Sequence, residues 1–171
     1  FCLVGSEMCI RDSPLSKKQK QSFLLLSRYA LNLSLFKDKE FFKKNKICLE
    51  IGFGSGEIIF KEAKKNPKNI YIGIEYYRRG VAQLLKKIDD HDLKNIQIFH
   101  GDAHVFLKEI SNFFFDEIWI FFPDPWPKKR HEKRRFIQIA SINKLYEILK
   151  PDGKLYISCL LYTSPSPRDR S

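Results

Sequence analysis

The chain has 171 residues, with 31 Lys and Arg against 20 Asp and Glu, and a net charge of +11. That length holds one ordinary globular domain. A 43% hydrophobic content excludes a disordered chain, and no apolar run reaches the roughly 18–20 residues of a membrane span. The positive balance makes a polyanion, nucleic acid first, the partner to consider. Abundant Lys, Ile, Phe and Asn beside little Ala also point to an AT-rich coding sequence, which raises Lys without any selection for binding.

The two ends read as foreign. Residues 3–13, LVGSEMCIRDS, and 159–168, CLLYTSPSPR, can be encoded by opposite strands of one DNA string. That string resembles a transposase-type sequencing adapter translated through both ends of a fragment. Residues 1–13 and 159–171 are therefore expected to be adapter-derived and are set aside. The remainder, 14–158, keeps 145 residues, the whole net charge and a single cysteine, Cys48. Disulfides are then excluded, and a reducing, cytoplasmic setting fits. The coding sequence is expected to continue past Ser158, leaving the domain incomplete at its C-terminus.

Within 14–158, strand-like and helix-like segments alternate. Residues 17–36 follow a helical pattern, with Phe23, Leu24, Tyr29, Leu31 and Leu35 among the apolar positions. Residues 47–51 form a short apolar strand stopping at Gly52. A helix is predicted over 57–65, ended by Asn66-Pro67. A strand over 70–75, a helix over 78–88, a strand over 96–101 and a short helix over 103–110 follow. A fourth strand, 117–122, ends in prolines. A helix over 134–149, a turn at Lys150-Pro151-Asp152-Gly153 and the start of a fifth strand at 154–158 complete the order. This βαβαβ alternation predicts an α/β fold, a parallel sheet with helices on both faces. Strands such as IWIFF are apolar on both sides, as buried parallel strands are. Trp119, in mid-strand, is expected in the core. In such sheets ligands bind at the carboxyl ends of strands, so residues just after each strand carry the information.

Glu50-Ile51-Gly52-Phe53-Gly54-Ser55-Gly56-Glu57 is a strand, a glycine-rich turn and a helix start. The glycines allow sharp turning and close ligand approach. A dinucleotide turn needs G-x-G-x-x-G, whose third glycine would fall at Glu57, an acid opposed to a pyrophosphate. The pattern E-x-G-x-G-x-G instead resembles the first motif of S-adenosylmethionine-dependent methyltransferases. Their ligand carries a sulfonium and an ammonium, which carboxylates favour. Glu75 ends the second strand, where a carboxylate can accept from both ribose hydroxyls or simply be solvated. Asp102 follows the third strand and either accepts from an adenine amino group or caps the next helix.

After the fourth strand comes Phe122-Pro123-Asp124-Pro125-Trp126-Pro127. Its alternating prolines fix their own φ and bias the residues before them to extended conformations. A carboxylate beside a flat aromatic suits a flipped purine: Asp124 accepts base N–H bonds and Trp126 stacks, or Trp126 is simply buried in a rigid turn. Lys128 to Arg135 then holds six basic residues and one acid, which reads as a phosphate-contacting surface or else a solvated helix face. Four histidines, His91, His100, His104 and His131, show no metal-ligand spacing, and only His131 is placed to meet substrate. No Cys or Ser nucleophile arrangement is visible.

This stretch resembles the bacterial tRNA (guanine-N7-)-methyltransferase family, which carries F-P-D-P-W followed by Lys and a basic H-x-K-R-R run. Residues 16–29, LEIGFGSGE, YIGIEYYRRGVA and GDA also fall in that family's order. The resemblance covers about 15–158. It implies a Rossmann-like class I methyltransferase fold whose last strands are missing here. It implies S-adenosylmethionine held by Glu50, Gly52, Gly54, Gly56, Glu75, Asp102 and Asp124. It further implies Asp124 as the catalytic residue, and tRNA contacted by Lys128, Arg130, His131, Lys133, Arg134 and Arg135. The implied reaction is methylation of guanine N7 in the tRNA variable loop, with no metal, membrane or obligatory protein partner. Family members also carry a C-terminal section with a further substrate Asp and a T-x-x-E-type motif; neither is in this chain. Alternatives are a methyltransferase on another substrate, or a non-catalytic RNA-binding protein on the same scaffold.

Overall fold

A computed structural model describes residues 14–110, 114–123 and 135–158. Five parallel strands, β1 (Ile47–Ile51), β2 (Ile70–Glu75), β3 (Ile96–His100), β4 (Phe115–Phe121) and β5 (Leu149–Ser158), lie in the order β3-β2-β1-β4-β5. The chain steps outward from β1 to β3, then returns to the other flank of β1 as β4. That reversal opens a crevice at the carboxyl ends of β1 and β4, where doubly wound sheets collect ligands.

The period of two along each strand divides the core. Ile47, Leu49 and Ile51 of β1 join Ile72, Ile74, Ile118 and Ile120 on one face. There they meet Phe42 of α3 (Lys39–Lys44), Phe106 of α6 (Ala103–Glu109), and Leu145 and Ile148 of α7 (Ile139–Ile148). Cys48, Tyr71 and Trp119 point to the other face. They pack on Ile59 and Ala63 of α4 (Glu57–Lys65) and on Val81, Leu84, Leu85 and Ile88 of α5 (Arg78–Asp90). Each such fully buried side chain contributes roughly 1.5–3 kcal/mol. This two-sided burial explains why β1 is apolar at four of its five positions, with Glu50 as the exception. Helices therefore cover both faces, as expected, and Trp119 lies in the core. Burial pushes the Cys48 thiol up to about 12, so it is an inert core residue. No helix among the described residues is long and apolar enough to cross a membrane.

Three expectations are corrected. The helix over 17–36 is divided into α1 (Lys17–Leu24), α2 (Leu26–Tyr29) and a 3-10 turn (Leu33–Lys37). Between them Ala30 bridges Ile98 in parallel, and the Leu31 N–H donates to the Ile98 carbonyl at 2.8 Å. Tertiary pairing with the free edge of β3 takes these residues out of the helix. Asn32 then caps the 3-10 turn by accepting from the Ser34 N–H. The turn at 150–153 lies inside β5 rather than before it. Phe115 pairs with Leu149 and Glu117 with Lys154, so the Pro-Asp-Gly segment is accommodated by a register shift between two paired stretches. The last helix begins at Ile139 and not at 134, because Gln138 has an extended backbone and its side chain donates to the Arg135 carbonyl at 2.7 Å. The short α3, started by the Asp38 carboxylate accepting from the Phe41 N–H, was not anticipated.

Candidate active site

β1 runs into the glycine turn directly. The Gly52 N–H donates to the Ile74 carbonyl at 2.8 Å, tying the turn to the end of β2. Gly52, Gly54 and Gly56 have φ of +74°, +56° and +71°, the left-handed region that residues with a Cβ resist. A Cβ on Gly56 would lie 2.7 Å from Leu84, whereas one on Gly52 or Gly54 would meet nothing within 4 Å. Gly56 is thus needed for packing. Gly52 and Gly54 face open space at the crevice, which leaves room for a ligand against bare backbone. Behind the turn, a Cβ on Gly80 of α5 would overlap the Gly54 carbonyl oxygen. The first turn of α5 is therefore pressed backbone to backbone against the loop.

Two carboxylates organise this turn. Glu75 accepts from the Gly54 N–H at 2.7 Å through Oε2 and from the Tyr77 N–H at 2.8 Å through Oε1. It bridges the turn and the start of α5. Glu50 is only 3% exposed and has the Ile59 backbone N–H as partner. Its Oε2 has no partner among the described residues. Burial, helped by the nearby Glu75 charge, pushes its carboxyl up to about 8. A buried acid with a spare oxygen beside an open backbone turn is a site for a cation or a donor.

Glu50, Gly52, Gly54, Gly56 and Glu75 are thus gathered around one turn. Asp102 lies one strand further on: the Gly101 N–H donates to the Glu75 carbonyl at 3.1 Å. Its Oδ1 accepts from the His104 N–H at 2.7 Å, so the helix-capping role is in place at the N-terminus of α6. Arg135 is half-buried ahead of α7. Asp124, Trp126, Lys128, Arg130, His131, Lys133 and Arg134 lie outside the described residues.

The backbone entering that stretch departs from expectation. Phe122, before Pro123, was expected to be extended, yet its φ is +51°. Its N–H donates to the Ser158 carbonyl at 2.7 Å, so the end of the β4–β5 ladder turns the chain there.

Residues 44–160 match a family model described as "Putative methyltransferase". The tRNA (guanine-N(7)-)-methyltransferase of Nitrosomonas europaea is 38% identical over 154 residues, covering 87% of this chain and 69% of that protein. The chain belongs to this family. The tRNA (guanine-N(7)-)-methyltransferase of Nitrosococcus oceani is 39% identical over 152 residues, which is 86% of this chain and 64% of the relative. This family member therefore spans less than two thirds of some of the curated relatives it matches. In fold it is similar to the solved phosphoethanolamine N-methyltransferase 2 of Haemonchus contortus, with a TM-score of 0.51 at 17% identity, over 82% of this chain and 28% of that one. The Rossmann-like α/β architecture is thereby shared.

Four participants were not anticipated from the sequence of this methyltransferase-family chain: the Ile59 and Tyr77 backbone amides, Gly80 and Phe122. Only Gly80 left a signal, since a glycine inside a helical pattern marks close backbone approach. Backbone partners and positive φ depend on how distant segments meet.

Proposed function

We propose that the protein methylates N7 of a guanine in the tRNA variable loop, using S-adenosylmethionine. The observation that carries this reading is Glu50, a buried carboxyl with an unpartnered oxygen at the foot of the open glycine turn. Carboxylates placed so suit a ligand with cationic groups better than a nucleotide phosphate, so the residues present fit this group. The names of the similar proteins supply the tRNA half of the reading, and the basic run from Lys128 to Arg135 supports it.

When bound, S-adenosylmethionine supplies an electrophilic methyl group on a cationic sulfur. Glu50, Gly52, Gly54, Gly56, Glu75, Asp102 and Asp124 would hold it. Guanine N7 already exposes a lone pair, so no residue has to remove a proton to create the nucleophile. The work left to the protein is in-line positioning and compensation of charge moving onto the purine. Asp124 is assigned to both, accepting from the N–H edge of the base and offsetting its growing positive charge. Lys128, Arg130, His131, Lys133, Arg134 and Arg135 contact the RNA backbone and fix the register of the loop. The single, buried thiol among the described residues fits a cytoplasmic enzyme.

The test is calorimetric donor binding followed by methylation of bulk tRNA. Asp124→Asn is expected to lose turnover; wild-type turnover with normal donor binding in that variant would remove Asp124 from the role. Replacing Lys133, Arg134 and Arg135 with alanine is expected to weaken tRNA binding and flatten its salt dependence. A wild-type protein that binds no donor would sink the whole reading.

A further inference from the structure

Phe122 sits in a backbone conformation that a phenylalanine disfavours, with its ring in no aromatic contact among the described residues. Its φ of +51° is in the left-handed region, one of only two such non-glycine positions among the described residues. The side chain is 61% exposed. It belongs to neither core cluster and makes no ring contact among the described residues. Strain and exposure of a large apolar ring both oppose folding, and nothing described offsets them locally.

Its location gives the pair of costs a use. Ile120 pairs with Ile51 of β1, and Phe121 with Ser158 of β5. Phe122 is therefore the first residue past the paired part of β4, level with the glycine turn, at the crevice made by the strand reversal. The hydrogen bond from its N–H to Ser158 fixes the backbone there. The ring is placed by the sheet rather than by packing, and no core cluster of the described residues covers it. Tyr76, also exposed at a strand end, shows no such backbone distortion.

We propose that Phe122 is a substrate-contact residue, a fixed aromatic platform on which the target base stacks. A base drawn out of an RNA loop loses its stacking neighbours, and an aromatic face at the rim of the site replaces them without regard to base identity. Specificity for guanine is then left to the hydrogen-bonding Asp124. This inference rests on the proposed action on RNA.

Phe122→Gly separates the ring from the strain. Glycine adopts φ +51° freely, and only an exposed side chain is lost. The glycine variant of the full chain is expected to keep or raise its melting temperature and to bind donor as the wild type does. Its KM for tRNA should rise about tenfold or more, the scale of one lost base–aromatic stack. Phe122→Trp should restore a KM near the wild-type value. A wild-type KM in the glycine variant overturns the proposal, as does a tryptophan variant as defective as the glycine one. If the wild-type chain methylates no tRNA, the reaction proposed above falls, and the platform is judged by binding of a single-stranded purine-rich oligoribonucleotide. Weaker binding by the glycine variant then supports the platform, and equal affinity of the two proteins overturns it.

Discussion

At the amino ends of β1 and β4, Asp116 accepts from the Ile47 N–H at 2.8 Å and from Lys150 Nζ at 2.9 Å, while Lys150 also donates to the Phe42 carbonyl at 2.7 Å. Beside them Glu117 pairs with Lys46 at 2.6 Å and accepts from the Trp119 indole at 3.0 Å. At the carboxyl ends of the same two strands, Glu50 keeps an oxygen without a described partner and Phe122 holds a strained backbone. At the amino end these polar groups are partnered and tie β1, β4, β5 and α3 together. The carboxyl end carries polar and conformational deficits that a ligand could relieve. Stability and ligand readiness are thus segregated along the strand axis rather than between domains.

Gly80→Ala is the harshest test of this contrast, because it strikes the carboxyl end where α5 is packed backbone to backbone against the glycine turn. Its methyl would overlap the Gly54 carbonyl, so a loss of roughly 3 kcal/mol or more in chemical denaturation is expected. A stability within error of wild type would mean that the turn yields easily and is not preformed. Asp116→Ala comes next. It orphans the Ile47 N–H and leaves the half-buried Lys150 without its carboxylate, at a cost of about 2 kcal/mol, with donor affinity unchanged in the folded protein. Altered donor affinity would show that the two ends are coupled.

Glu50→Gln should act in the opposite direction. With its carboxyl raised from 4.5 to about 8, the folded chain keeps a proton that the unfolded chain gives up. Wild-type stability therefore falls as pH rises from about 4.5 through about 8, and levels off above. The glutamine variant lacks this slope. It is expected to match wild type near pH 4 and to exceed it by roughly 4–5 kcal/mol at pH 9, while losing donor affinity. Parallel stability curves for the two proteins would refute the burial argument. The smallest effect is expected from Lys144→Ala on the surface of α7. Its ion pair with Glu147 at 2.9 Å is solvent-facing on one side, and its loss should shift stability by no more than about 0.5 kcal/mol.

What could be read from the sequence follows from where each signal resides. β1, β2 and β4 were legible because burial on both faces leaves contiguous apolar runs. The glycine turn was legible because turn chemistry is local. For Asp102 the local pattern allowed two roles, and the cap to His104 is the one described. The continuous helical pattern over 17–36 was misleading, since Ala30 and Leu31 are committed to Ile98, far along the chain. Likewise Pro151-Asp152-Gly153 does interrupt the chain locally, but only the pairing of Leu149 and Lys154 with β4 shows that the strand continues across it. Gly80 and Phe122 owe their roles to contacts with Gly54 and Ser158 that no window of sequence contains.

The Leu31–Ile98 hydrogen bond also has a kinetic side. Sixty-seven positions separate its partners, and its acceptor lies on the outer edge of the strand that ends the sheet order. The segment can dock only onto a β3 already in register with β2, so it joins late in folding. By the same logic it is an early segment to leave, through an opening that exposes one strand edge and spares the crevice between β1 and β4. Amide exchange and limited proteolysis are therefore expected to begin around residue 30 while the glycine turn is still intact.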